Sequence, residues 1–103
     1  MAKHKIVYLA QAQEDLLDIF DYIRRERPQA AERILQLFDK KISHLADFPL
    51  MGCRPRDERL KKLGYRVLIV DNYLVFYVVK ENMVEIRRVI HGRRRYAFLL
   101  QDD

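Results

Sequence analysis

Arg66, Arg87, His91, Arg93, Arg94, Arg95 and Tyr96 all fall in one stretch, GYRVLIVDNYLVFYVVKENMVEIRRVIHGRRRY, which runs from Gly64 to Tyr96. Arginine presents a planar fork of donors that matches a phosphate or a carboxylate. Histidine changes charge near neutral pH, and tyrosine adds a hydroxyl that donates or accepts. Delivered together to one rim, these groups grip a phosphodiester backbone. They serve equally well to bind an acidic protein. Lys61 and Lys62, just upstream, extend the same basic set.

The stretch itself supplies the frame. It reads as three antiparallel strands, with an Asp71-Asn72 turn between the first two and a Lys80-Glu81-Asn82 turn before the third. Strict alternation along the third strand puts Arg87, Val89 and His91 on one face, and Arg88 and Ile90 on the other. Upstream, HKIVYL (His4 to Leu9) reads as a first strand. Leu16, Ile19, Phe20 and Ile23 repeat at helical spacing. A second stripe, Ala31, Ile34, Leu35, Phe38, Ile42 and Leu45, starts after Pro28, a favoured first position of a helix. Residues 49 to 63 read as a long basic loop, of a length that is often functional. The expected fold is α+β: an N-terminal strand, then a helical hairpin packed on a twisted antiparallel sheet of about four strands, all in a single domain, 1–103.

Composition narrows the function. Residues 1 to 53 hold eight Lys/Arg and eight Asp/Glu, whereas residues 54 to 95 hold twelve and five, so the excess positive charge lies in the second half. That asymmetry favours a polyanionic or acidic partner over mere solubility. Cys53 is the only cysteine. It excludes an internal disulfide and a cysteine-based zinc site, and fits a reducing cytoplasm. No signal-peptide pattern and no membrane-length apolar run is present, so a cytoplasmic protein without membrane contact is expected. No glycine-rich phosphate loop or carboxylate metal site appears, and neither a cofactor nor a metal is expected.

The order strand, helix, helix, basic loop, three strands resembles the RelE/ParE superfamily of toxins from bacterial type II toxin–antitoxin systems. The resemblance is carried by Asp15-Leu16 with Ile19 and Tyr22-Ile23, Ala30-Ala31, Phe48-Pro49 with Gly52, Gly64-Tyr65-Arg66, NYLVFYVV and RVIHGRRR. It covers essentially the whole chain, and its specificity lies in the combination. It implies a toxin that causes growth arrest and is neutralised by a cognate antitoxin. RelE-like members cut mRNA on the ribosome without a metal. ParE-like members poison DNA gyrase.

Cleavage of that kind needs a group to take the 2′-hydroxyl proton, a group to protonate the leaving oxygen, and fixed positive charge on the phosphate. The catalytic set is then Arg66 and Arg94, matched by the resemblance, as phosphate stabilisers together with Arg93, and His91 or Tyr96, the latter a loose match, as the proton-transfer group. Lys61, Lys62, Arg87, Arg93 and Arg95 become nucleic-acid contacts. The first expectation is a metal-independent, ribosome-dependent mRNA endoribonuclease whose partners are an antitoxin, the ribosome and mRNA; the alternative is an inhibitor of DNA gyrase without nuclease activity. A third reading is an inactive member that only binds its partner. Two features stand against cleavage: Leu74 occupies the position where nuclease members carry an arginine, and VIHGRRR is closer to ParE-like endings. Each residue also has a structural competitor. His91 can cap the last strand, and Arg66 and Arg88 can pair with Glu85 or with helix acids across the sheet.

Overall fold

The computed structural model describes residues 3–92. The chain runs β1 (Lys5–Tyr8), α1 (Ala10–Glu26), α2 (Pro28–His44), α3 (Glu58–Lys62), β2 (Tyr65–Val70), β3 (Tyr73–Lys80) and β4 (Met83–His91). Arg24 and Arg25 occupy the last turn of α1, where the helix dipole favours cations. Pro28 opens α2, where a missing N–H costs nothing. The apolar stripes do their expected work. Ile23, Ile34, Phe38, Ile42 and Leu45 are buried, while Leu35 stays half exposed.

The sheet order is β1-β4-β3-β2. β2, β3 and β4 form the expected antiparallel meander, with Asp71 and Glu81 taking the left-handed conformations that tight hairpin turns require. β1 departs from an all-antiparallel sheet. It pairs with β4 in parallel, Lys5 opposite Met83 and Tyr8 opposite Ile86, so the sheet is mixed. The reason is topological: α1 and α2 carry the chain across the sheet before it returns along the same direction.

Each face of the sheet is covered differently. The helical hairpin packs on one face, burying Val70, Tyr73, Val75, Tyr77, Val84, Ile86 and Val89. Phe38 lies at its centre, with ring contacts to Phe20 and Tyr73 at 5.8 and 5.7 Å. On the opposite face Leu60 of α3 covers Tyr65, Phe76, Val78 and Ile90. The segment read as a basic loop thus contains a short helix. Asp57 caps it, its side chain accepting from the Arg59 and Leu60 amides at 2.8 and 3.4 Å.

The local environment pushes the Asp57 carboxyl in two directions. Desolvation raises its pKa, but the Arg59 and Leu60 amides and the Arg59 guanidinium outweigh this and leave it lowered. A lowered folded-state pKa means the cap's contribution is present above the unfolded value and is lost as pH falls through the folded one. Protection of the Arg59 and Leu60 amides is therefore expected to hold at pH 5 and to fall on acidification below roughly pH 4. Hydrogen exchange by NMR checks this. Protection unchanged to pH 2 would remove the cap from the account.

Candidate functional site

The C-terminal half of β4 is organised by one irregularity. Phe76 pairs with Arg88 and Tyr77 with Ile86, so Arg87 is an extra residue with no partner position on β3. Such a bulge breaks the strict alternation of side chains. Val84, Ile86 and Val89 all enter the hairpin-side core, and Ile90 enters the opposite cluster. Arg87 and His91, expected on one face, are consequently separated.

Asp15 of α1 holds the bulge in place. Its carboxylate accepts from Arg88 Nε at 2.8 Å, Arg88 Nη2 at 3.2 Å and the Val89 backbone N–H at 2.9 Å. The pair is nearly closed to water, the side chains of Arg88 and Asp15 being 13% and 10% exposed. Arg88 thus takes the structural role open to it in the sequence, with a helix acid as partner.

Arg66 sits far from this end of the sheet. It pairs with Tyr77, whereas His91 pairs with Tyr73. Four residues along β3 and two strand spacings put their backbones about 16 Å apart. Arg66 Nη1 donates to the Gly52 carbonyl at 2.9 Å and to the Leu50 carbonyl at 3.4 Å. Beside it the Tyr77 hydroxyl donates to the Pro49 carbonyl at 2.8 Å and accepts from the Gly52 N–H at 2.9 Å. Burial, the largest influence, raises the Tyr77 pKa, so the phenol stays neutral.

The other predicted residues lie across the sheet. Arg87 stands over the Tyr65 ring, 5.5 Å from its centroid, and pairs with Glu85 at 2.9 Å. Burial opposes its charge, but Tyr65 and Glu85 more than compensate and raise its pKa. Lys61 and Lys62 are exposed on α3, with Lys61 paired to Glu58 at 3.3 Å. Arg93, Arg94, Arg95 and Tyr96 lie outside the described residues. Of the predicted catalytic set, Arg66 and His91 are therefore placed, and they are not brought together.

His91 occupies a different setting, at the end of the sheet between two hollows of about 410 Å³ each. One opens towards α1 and is lined by Asp18, Tyr22, Arg27 and Tyr73. The other runs beneath the β2–β3 turn past Ile69, Asp71, Leu74 and Gly92. The imidazole meets the Tyr73 ring edge-on, with centroids 5.5 Å apart. Burial first, then Tyr22, raises the Tyr73 pKa, so its hydroxyl is a neutral hydrogen-bonding group at pH 7. This corner offers aromatic surface, one imidazole and mixed charge, a combination suited to holding a partner's side chain. Among the described residues no group of three His, Cys, Asp or Glu is placed to hold a metal. No helix among them is long and apolar enough to cross a membrane.

Two features escaped the sequence reading. Asp15 had a signal: it lies on the buried α1 stripe, three residues after Ala12 and four before Ile19. The exposed apolar turn at residues 48–51 had none beyond its own hydrophobicity.

Comparison with known proteins follows the same fold. The sequence model of the family described as ParE toxin of type II toxin–antitoxin system, parDE, matches residues 6–96. Toxin RelE2 of Caulobacter vibrioides is 31% identical over 90 residues, covering 87% of this chain and 97% of the relative. Among solved structures, the chromosomal ParDE system of P. aeruginosa aligns with a TM-score of 0.70 at 18% identity, covering 86% of this chain and 96% of that one. The RelBE2 toxin–antitoxin complex of Mycobacterium tuberculosis aligns at 0.57 and 19%, covering 88% and 93%. At such identities the two structures speak for the fold alone.

Proposed function

The chain belongs to the ParE toxin family of type II toxin–antitoxin systems, and on that premise we propose that it arrests growth by binding its target, DNA gyrase, and does not cut RNA. A cognate antitoxin holds it inactive until needed. The observation that carries this reading is the separation of Arg66 from His91. In-line attack on a phosphodiester needs proton acceptor, proton donor and fixed positive charge around one phosphorus. Arg66 is about two strand widths and four residues away from His91, and its Nη1 is engaged by the Gly52 and Leu50 carbonyls. Leu74, without a charge, occupies the wall of the hollow beside His91.

The ribonuclease reading keeps one support. His91 borders both hollows, within reach of anything bound there, and in that reading Arg94 and Tyr96 complete the site.

Two assays separate the readings. Purified toxin is expected to stop gyrase-dependent supercoiling while mRNA in a translating extract stays intact. His91→Ala should leave growth arrest in place, because imidazole chemistry plays no part. Metal-independent cuts in translated mRNA that disappear in His91→Ala would overturn the proposal in favour of the nuclease. Growth unaffected by induction would defeat both.

A further inference from the structure

We propose that the apolar turn at residues 48–51 is the docking surface for an acidic, amphipathic segment of the antitoxin, an inference that rests on the toxin–antitoxin reading above. Phe48, Leu50 and Met51 are 64%, 62% and 43% exposed, and with Pro49 they line a shallow, almost wholly apolar hollow of about 550 Å³. Exposed apolar groups scattered singly need no explanation, whereas a contiguous set marks an interaction surface.

The turn is held rigidly. The Tyr77 hydroxyl ties Pro49 to Gly52, and Arg66 binds the Leu50 and Gly52 carbonyls. Cys53 and Val67 exchange two backbone hydrogen bonds at 2.8 and 2.9 Å. Three polar anchors thus fix the backbone from beneath and leave the apolar side chains outside. A surface ordered before the partner arrives loses less entropy on binding.

Charge identifies the partner. Arg54 and Arg56 follow the turn and are exposed. The nearby acids each face a base, Asp47 with Lys3 at 3.9 Å, Asp57 with Arg59 at 3.5 Å and Glu58 with Lys61 at 3.3 Å. The rim is therefore cationic around an apolar centre. Phe48 is the turn's only aromatic residue, and successive bases of RNA would need stacking platforms. Aliphatic side chains flanked by carboxylates fit better. Within the toxin–antitoxin pair, the antitoxin is the partner present throughout storage, when an uncovered apolar turn would invite aggregation.

Cys53 gives a built-in reporter, being exposed, adjacent to the turn and the chain's only cysteine. The probe is the protein expected from a reading frame neighbouring this chain's gene, co-purified with the toxin. Cys53 is expected to react with Ellman's reagent at least tenfold more slowly in the complex than in the free toxin. Phe48→Asp with Leu50→Asp should weaken the complex at least a hundredfold, while growth arrest without the antitoxin persists. Arg54→Glu with Arg56→Glu, at exposed positions, tests the charge if the first pair impairs folding, and should slow association about tenfold at low salt. Affinities within twofold of wild type would overturn the proposal. So would loss of arrest with antitoxin binding intact, which would hand the turn to the target, or equal shielding of Cys53 by a single-stranded RNA. A wild-type chain that neither arrests growth nor binds the neighbouring protein would defeat the toxin reading itself.

Discussion

Asp15→Ala is expected to lower the stability of the fold by about 3–5 kcal/mol, the usual cost of breaking a buried ion pair from one side. The carboxylate supplies three acceptor contacts, two to the Arg88 guanidinium and one to the Val89 N–H. Removing it strands a largely buried positive charge and takes the carboxylate acceptor from the Val89 amide. In a domain of this size the midpoint of thermal unfolding should fall by roughly 15–30 °C. Asp15→Asn keeps the shape and one acceptor, and should cost less. Asp15→Leu with Arg88→Met, which removes both charges together, should recover most of the loss. Circular dichroism melts of wild type, Asp15→Leu, Arg88→Met and the double variant give the coupling. Single variants within 1 kcal/mol of wild type would show that the bulge does not depend on this pair.

The second large effect is expected at Gly52. A Cβ there would stand 2.6 Å from the Tyr77 hydroxyl, 2.8 Å from the ring and 2.8 Å from the Val67 carbonyl. The Val67 oxygen is strand backbone and the Tyr77 ring is fully buried, so neither can swing away. Gly52→Ala should cost about 2–3 kcal/mol through overpacking. Tyr77→Phe acts on the same joint by leaving the Gly52 N–H without an acceptor, at about 1–3 kcal/mol. Combining them should cost less than the sum, since the nearest clash is with the hydroxyl that Phe lacks. Urea titrations at constant m decide it. A fully additive pair would mean the two residues do not meet in solution. Both variants should also loosen the turn at residues 48–51 and so weaken its docking role before the domain unfolds.

Much of this architecture was legible in the sequence because it depends on periodicity. The stripes ending in Ile23 and Leu45, the start of α2 at Pro28 and the Asp71-Asn72 turn all follow from local spacing. The bulge did not. One extra residue in β4 leaves composition and hydrophobicity unchanged, yet it decides which side of the sheet Arg87 and His91 occupy. Arg66 shows the same limit in another form. Its type suggested phosphate binding, but its partners are carbonyls 14 and 16 residues earlier in the chain. Nothing local announces such a contact. The parallel pairing of β1 with β4 is likewise a long-range choice, made by the path of the helices. The family, by contrast, was readable from the order of elements with their short motifs, and the family match over residues 6–96 agrees.

The placement of β1 beside β4 also sets a timetable for biosynthesis. Among the described residues, the first strand, Lys5–Tyr8, finds its only sheet neighbour in the last, Met83–His91. A contact so distant along the chain closes only after β4 itself has been made. A growing chain therefore carries its two helices and waits with an unfinished sheet.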